Sequence, residues 1–267
     1  MRPLTNAIPK EMLPVGGRLA LERITDELSA AGILDVVFVL SPAKEAFIRG
    51  YFGDGANGVS YHYALQNEMR GLGHAILQAE PFLSPDRPFV VALGDAVFEE
   101  PEVGGLTRRL CEACAEREAH LGLAVQRVPR ERISRYGVIK PLSSPVKTPD
   151  SVTGTVIPIT DIIEKPAPEE APSEFAAAAR YVAHPQVFEI LRRIPPGKGG
   201  EIQFTDAMRD QLAQGLPGIA VPLLPGEVRH DIGNLETYYR AFVAFALKDP
   251  ENGATLNEYL RTKLQES

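Results

Sequence analysis

Residues 21–42, LERITDELSAAGILDVVFVLSP, contain the pattern that decides the fold. The first part predicts a helix ending at Gly32, because apolar residues recur at helical spacing: Leu21, Ile24, Leu28 and Ala31. The run from Ile33 to Leu40 is β-branched and apolar on both faces, which is typical of a strand buried in a sheet. Ser41 and Pro42 then favour the start of a second helix.

The same alternation continues through the first half of the chain. A strand is predicted around Val59 to Tyr63, a helix from Gly71, and a buried strand from Pro88 to Leu93 that ends at Gly94 and Asp95. Strands that alternate with helices and are apolar on both faces predict an α/β fold with a mostly parallel sheet, covered by helices on both sides. Ligands bind beyond the carboxyl ends of the strands in such sheets, and Asp95 lies at such an end.

The second half of the chain predicts a second lobe and a helical tail. The irregular stretch 141–150 is interpreted as a loop between two strands. The predicted elements are strands at Tyr136–Lys140, Val156–Glu164, Ala176–Val182 and Ile219–Leu224, helices at Pro185–Ile194 and Ile202–Leu212, and helical structure from Asn234 onward. We treat residues 1–267 as a single α/β domain.

Composition limits the classes of function. The chain has 267 residues, of which 44% are apolar, enough to bury a core. A net charge of -7 disfavours a nucleic-acid binder, which needs a basic surface, although a few lysines and a metal ion could still hold a small anion. The sequence shows neither a signal-peptide pattern nor an apolar run long enough for a bilayer, so we expect a cytoplasmic protein without a membrane partner.

The only two cysteines, Cys111 and Cys114, lie three residues apart in a stretch with helical spacing. No second Cys or His pair lies near enough in sequence to complete a zinc site. We therefore interpret them as reduced thiols on one helical face, typical of an intracellular protein.

Two carboxylates, Asp95 and Asp231, follow apparent strand ends. Mg²⁺ is commonly held by one or two carboxylates together with substrate oxygens. The alternative for each residue is structural, because Asp after a strand often caps the next turn or helix.

Two lysines are candidates for binding phosphate. Lys10 lies between Pro9 and Pro14, which stiffen the backbone and would present the ammonium group from a fixed loop. Glu164 and Lys165 come at a strand end just before Pro166, where one could bind sugar hydroxyls and the other a phosphate. A solvated surface lysine and a structural ion pair are the respective alternatives.

The segment from Gln66 to Ala75 places an amide side chain at a strand end and two glycines at a helix start. An amide offers both a donor and an acceptor to a base edge, and Gly71 would let a flat base approach the backbone. His74 in the first helical turn is interpreted as a packing or capping residue rather than a catalytic base.

Taken together, these segments resemble the bacterial UTP:glucose-1-phosphate uridylyltransferases of the sugar nucleotidyltransferase family, over nearly the whole chain. The motifs are Ile8–Pro14, Gly71–Ala75, Leu93–Asp95, Tyr136–Val138, Ile163–Pro166, Gly199–Asp206 and Asp231–Gly233. The resemblance implies a Rossmann-like, mostly parallel mixed sheet. It also implies a nucleotide-binding half at 1–130, a sugar-phosphate-binding half at 131–233 and C-terminal helices at 234–267.

The resemblance also implies roles for particular residues. Lys10 would meet the triphosphate of UTP, Gln66 and Gly71 the uracil, and Asp95 with Asp231 the Mg²⁺. The glucose 1-phosphate would be held by Gly137, Glu164 and Lys165, with Glu201 near the sugar. Lys10, Asp95 and Lys165 would be the catalytic residues, and a homo-oligomer is expected because relatives are often dimers or tetramers.

Two departures from the family pattern stand out. Many relatives have a second Asp after the Gly-Asp pair, where this chain has Ala96. The family also has a first strand and a Gly-x-Gly-Thr-Arg loop directly before the residues that match Met1 to Thr5, and Arg2 falls after that loop. We therefore expect either a reading frame that begins about 10 to 20 residues upstream, or a chain of poor stability and little activity.

Other functions stay open from the sequence. A protein of the same fold without its triphosphate loop could bind a sugar nucleotide, or nothing, without catalysis. A thymidylyl-, cytidylyl- or adenylyltransferase of the same superfamily is the other alternative. The test is whether product forms from UTP and glucose 1-phosphate.

Overall fold

The computed structural model describes residues 4–143, 146–147 and 155–266. Arg2 lies outside the described residues, as does most of the second half of the predicted loop 141–150. The helices in the described part are α1 Ala20–Ala30, α2 Pro42–Phe52, α3 Leu72–Ala79, α4 Gly105–Glu116, α5 Val187–Arg193, α6 Phe204–Ala213, α7 Leu235–Ala246 and α8 Gly253–Gln265. None of these helices has both the length and the apolar character needed to cross a membrane.

The strands follow in chain order between these helices. They are β1 Pro14–Val15, β2 Arg18–Leu19, β3 Asp35–Leu40, β4 Gly55–Ala56, β5 Val59–Leu65, β6 Phe89–Ala92, β7 Ala96–Glu99, β8 Leu121–Arg127, β9 Gly137–Pro141, β10 Val146–Lys147, β11 Thr155–Glu164, β12 Phe175–Ala183, β13 Gly218–Pro222 and β14 Val228–Asp231. The predicted elements are present within a few residues of their expected bounds. The central strand β8 was missed by the sequence analysis.

The largest sheet has the order β10-β11-β13-β8-β12-β6, and β9 pairs with both β11 and β12. A second sheet has the order β3-β5-β4, and two further pairs are β1 with β2 and β7 with β14. The predicted α/β class is confirmed. The prediction of mostly parallel strands is wrong, because in the described residues only β3 with β5 and β8 with β13 are parallel.

The connections between the strands explain why most pairs are antiparallel. Parallel neighbours need a crossover of a dozen or more residues, usually with a helix, whereas strands joined directly can return antiparallel. No helix lies between β9 and β12 in the described residues, and the pairs formed by β9, β11 and β12 are antiparallel. Apolar residues on both faces show that a strand is buried, but they do not show its direction.

Helices cover both faces of the largest sheet. On one face α3, α5 and α6 pack on alternate residues of β8, namely Leu121, Leu123 and Val125. On the other face α4 packs on Ala124 through Leu106 and Leu110. Alternate residues of β8 thus pack into the cores on opposite faces of the sheet.

A third core joins the N-terminal segment to the rest of the molecule. It contains residues of α1, α2, β3, β5 and α7, and Val90 and Ala92 of β6 pack against it. The Tyr238 hydroxyl of α7 donates a hydrogen bond of 2.9 Å to the carbonyl of Pro14. The segment that carries Lys10 is therefore held beside the strand end that carries Asp95.

Candidate functional site

Asp95 and Asp231 lie next to each other, although 136 positions separate them in the sequence. Asp95 is in the turn between β6 and β7, and Asp231 ends β14. The antiparallel pairing of β7 with β14 places Asp231 opposite Ala96. The backbone N–H of Ile232 donates to the carbonyl of Asp95 at 2.9 Å. The two candidate carboxylates thus share one edge of the molecule, as the strand-end prediction required.

Lys10 contacts this pair directly. Its ammonium nitrogen lies 2.6 Å from Oδ2 of Asp95, and both side chains remain about one-third exposed. Burial alone would lower the pKa of Lys10, but the charges of Asp95, Glu11 and Asp231 and the hydrogen bond to Asp95 outweigh it, so the pKa is raised. Lys10 therefore stays protonated and could meet a phosphate next to the carboxylates.

The neighbouring Glu11 fixes the position of Lys10, and sequence analysis gave it no role. Lys44 of α2 donates to both carboxylate oxygens of Glu11, at 2.9 and 3.2 Å. A Cβ atom on Gly94 would lie 3.0 Å from Cγ of Glu11, so Gly94 lets the two segments pack closely. The Glu11–Lys44 pair therefore connects the Lys10 turn to α2, and the contact of Glu11 with Gly94 brings that turn against the one that holds Asp95.

Asp231 is held in a fixed orientation by its own neighbours. Its Oδ1 accepts from the Gly233 N–H at 2.7 Å, and its Oδ2 accepts from the Arg229 guanidinium at 3.1 Å. The Arg229 side chain is only 8% exposed and lies over the ring of Tyr136, which precedes β9. Arg229 thus links the carboxylate pair to the start of β9, a connection that the sequence did not reveal.

A buried ion pair contacts the backbone next to Asp95. Arg180 of β12 donates to both carboxylate oxygens of Glu27 in α1, at 2.8 and 2.7 Å. It also donates to the carbonyl of Ala96 at 3.1 Å. Ala179 has a φ of +66° at an irregularity in β12, and its carbonyl accepts from the Leu93 N–H at 3.1 Å. The backbone on each side of Asp95 is therefore bound to β12.

The carboxylate pair has the donor chemistry of a magnesium site. Asp95 and Asp231 offer only oxygen ligands, which hard cations prefer, and Mg²⁺ usually takes one or two carboxylates plus substrate phosphate oxygens. The described residues contain no group of three or more His, Cys, Asp or Glu side chains placed to hold a metal. Two carboxylates could contribute part of the coordination shell of such an ion.

The segment that holds the predicted base-binding residues is hydrogen-bonded to Ile202 and packs against Glu201. The Gly73 N–H donates to the carbonyl of Ile202 at 2.9 Å, and the Ile202 N–H donates to the carbonyl of Arg70 at 2.8 Å. Gly71 has a φ of +93°, and a Cβ there would lie 2.8 Å from the Ile202 carbonyl and from Cβ of Glu201. The glycines are thus required for close backbone packing, and not only for the approach of a base.

Three of the predicted sugar-phosphate residues, Gly137, Glu164 and Lys165, also come together, whereas Glu201 packs against Gly71. Gly137 of β9 pairs with Glu164 at the end of β11, and a Cβ on Gly137 would lie 3.3 Å from Oε2 of Glu164. Lys165 has a φ of +48°, an unusual conformation for a side-chain-bearing residue, and its N–H donates to the carbonyl of Tyr136 at 2.9 Å. Its ammonium group lies 3.3 Å from Oε1 of Glu164, which is the ion pair that the sequence offered as the structural alternative to substrate binding.

Tyr181 of β12 lies near both Asp95 and Glu164, and it was not identified from the sequence. Burial, followed by the negative charge of Glu164 and then Asp95, raises the pKa of Tyr181 to about 12, and Arg229 opposes that shift. Its ring packs edge-on against Phe204 of α6. The hydroxyl therefore stays protonated between the carboxylate pair and the Glu164 site. Tyr181 follows a run of alanines in a predicted strand, and no signal in the sequence distinguished it.

The two cysteines lie apart from the candidate site residues. Burial raises the pKa of Cys111 to about 11 and that of Cys114 to about 12, so both are protonated thiols near neutral pH. They line a cavity of about 380 Å³ together with residues of α4, β6 and β12, and none of the candidate site residues lines it. The prediction of two free thiols is confirmed.

A family model described as "Nucleotidyl transferase" matches residues 1–247. The chain belongs to the nucleotidyl transferase family.

Named relatives of this nucleotidyl transferase chain span nearly its whole length. One is the UTP–glucose-1-phosphate uridylyltransferase 2 of Streptococcus pyogenes serotype M3, 32% identical, with 97% of this chain and 90% of the relative covered. Another is the UTP–glucose-1-phosphate uridylyltransferase YngB of Bacillus subtilis, 34% identical, with 97% and 89% covered. A crystal structure of a UDP-glucose pyrophosphorylase complexed with UDP-glucose superposes with a TM-score of 0.82 at 30% identity, covering 93% of this chain and 94% of the other.

Proposed function

We propose that this protein transfers a uridylyl group from UTP to glucose 1-phosphate, giving UDP-glucose and pyrophosphate. The observation that carries the proposal is the position of Asp95, Asp231 and Lys10, which lie together at one edge of the molecule. The relatives that match 97% of the chain are uridylyltransferases by name, which supports this substrate pair.

The reaction is a displacement at phosphorus. A phosphate oxygen of glucose 1-phosphate attacks the α-phosphorus of UTP in line and forms a new P–O bond. The bond from the α-phosphorus to the oxygen bridging to the β-phosphorus breaks, and pyrophosphate leaves with that electron pair. No covalent enzyme intermediate is required. The main demands on the protein are therefore to position two anions and to stabilise the charge on the phosphates.

The residues divide these tasks by position. Lys10, kept protonated by Asp95, binds the triphosphate and offsets its charge. Asp95 and Asp231 would hold Mg²⁺, which, when bound, supplies further positive charge to the phosphate oxygens. Gln66 and Gly71 bind the uracil. Residues 1–130 thus form a nucleotide-binding half.

The other half binds the second substrate. Glu164 and Glu201 accept hydrogen bonds from the glucose hydroxyls, and Lys165 meets the phosphate dianion. Gly137 leaves room beside Glu164 for the sugar. Residues 131–233 thus form the sugar-phosphate-binding half, and residues 234–267 form C-terminal helices. Cytoplasmic location and homo-oligomerisation stay predictions.

A direct assay tests the proposal. The purified chain is incubated with UTP, glucose 1-phosphate and MgCl₂, and UDP-glucose is measured by anion-exchange chromatography. CTP, dTTP and ATP replace UTP in parallel reactions. UDP-glucose formed fastest from UTP is the expected result. Absence of product with every nucleotide, or faster product with another one, contradicts the proposal.

Lys165→Ala should raise the KM for glucose 1-phosphate by about 10- to 100-fold and change the KM for UTP much less. The reason is the loss of a charge-assisted hydrogen bond to the sugar phosphate, worth about 1.5–3 kcal/mol. The measurement is steady-state kinetics with each substrate varied in turn. Lys140→Ala is the matched control, because Lys140 is an exposed lysine on β9. Equal changes in both KM values, or none, would rule out the assigned role.

A further inference from the structure

The amide of Gln66 is held in one orientation. Its Nε2 donates to the carbonyl of Gly71 at 3.0 Å and lies 3.1 Å from Nδ1 of His74. The residue is only 6% exposed, and its backbone N–H donates to the carbonyl of Leu40 at 2.8 Å. The side chain therefore has little freedom to turn.

The chemistry of these partners determines which end of the amide faces which neighbour. A backbone carbonyl can only accept, so the nitrogen end of Gln66 must point to Gly71. The second hydrogen of that nitrogen then points to His74 Nδ1, which accepts it when the ring carries its proton on Nε2. Both amide hydrogens are thereby used, and only the carbonyl oxygen of Gln66 is left for a ligand.

That oxygen is available to a ligand. It has no hydrogen-bond partner among the described residues, and it is not fully buried. The Gly71 carbonyl is itself fixed, because Gly71 packs against Glu201 and Ile202 at a distance that leaves no room for a Cβ. The His74 backbone is restrained too, since its carbonyl accepts from the Gln78 side chain at 3.1 Å.

We propose that His74 is a positioning residue that determines base specificity. By accepting from the Gln66 amide, it leaves an acceptor facing the base, which selects a pyrimidine with a ring N–H, as in uracil, over cytosine, whose ring nitrogen at that position accepts. Without an acceptor at position 74, only the Gly71 carbonyl still opposes rotation of the amide, so cytosine is rejected less strongly. The inference rests on the proposed function, since it takes the site to be a nucleotide site with Gln66 at the base.

Binding measurements on the full chain test this inference separately from catalysis. Dissociation constants for UTP and CTP, with MgCl₂ present, are measured by isothermal titration calorimetry for the wild type and four variants. His74→Phe and His74→Ala remove the acceptor, and the smaller alanine covers a failure of the phenylalanine variant to fold. His74→Asn retains an acceptor, because its Oδ1 can occupy the place of Nδ1. His62→Phe is the matched control, since His62 contacts Asp35 and Phe82 instead.

The wild type, His74→Asn and His62→Phe should bind UTP about tenfold or more tightly than CTP, because a mispaired polar group in a closed site is costly. In His74→Phe and His74→Ala the preference for UTP should fall at least about threefold below that of the wild type, because one of the two acceptors that hold the amide nitrogen is lost. Preserved discrimination in these two variants overturns the inference, as does its loss in His74→Asn or its absence from the wild type. Failure of the proposed function has a different signature: nucleotides bind with this pattern, but UTP and glucose 1-phosphate give no UDP-glucose.

Discussion

Asp95→Asn and Asp231→Asn should each lower kcat by about 10²- to 10⁴-fold. Each change removes one negative charge from the pair that would hold Mg²⁺, and metal stabilisation of phosphate charge is worth several kcal/mol at about 1.4 kcal/mol per tenfold in rate. Asparagine keeps the shape of the side chain, so the hydrogen bond from Ile232 to the Asp95 backbone is unaffected by the change of charge. The effect should therefore fall on turnover rather than on folding.

The measurement is the initial rate of UDP-glucose formation over a wide range of MgCl₂ concentrations. Asp86→Asn is the matched control, because Asp86 is an exposed aspartate in the turn before β6. A thermal melt of each variant checks that the fold is intact. Near-normal turnover of both Asp95→Asn and Asp231→Asn at saturating MgCl₂ would refute the metal assignment.

Glu27→Ala should lower the free energy of unfolding by about 3–5 kcal/mol, the cost of leaving a buried charge without its partner. The Arg180 side chain is fully buried and the Glu27 side chain is only 4% exposed. Thr107 of α4 also donates to Glu27, at 2.6 Å. The substitution therefore leaves two side chains, Arg180 of β12 and Thr107 of α4, without their shared partner in α1, and the buried guanidinium cannot reach water.

Urea unfolding followed by circular dichroism measures this loss. Asp26→Ala is the control, because Asp26 forms an exposed pair with Arg18 and should cost at most about 1 kcal/mol. The double variant Glu27→Met with Arg180→Met should recover much of the stability, since apolar residues can replace a buried pair. A loss below about 1 kcal/mol for Glu27→Ala would show that the pair does not support the fold.

The same double variant separates stability from function. Arg180 also donates to the carbonyl of Ala96, next to Asp95. If the ion pair positions the Asp95 turn, a stable double variant should still turn over more slowly than the wild type.

Local signals in the sequence predicted most of the elements. The helical spacing before Gly32 and the apolar run that follows gave α1 and β3, because both patterns are complete within one segment. The strand-end positions of Asp95 and Asp231 were predictable for the same reason. The residues that hold them were not, because Glu27 and Arg180 are 153 positions apart and nothing in either segment indicates the other.

From the sequence alone came the α/β class, the helices, many of the strands and the residue types that can bind phosphate and a divalent cation. Hydrophobic periodicity and motif spacing are local properties, so they could be recognised before any fold was known. Only the tertiary structure decided strand direction, the pairing of β7 with β14 that brings Asp231 to Asp95, and the orientation of the Gln66 amide by His74. Each of these depends on contacts between segments, and such contacts form only when the chain packs into a shared core.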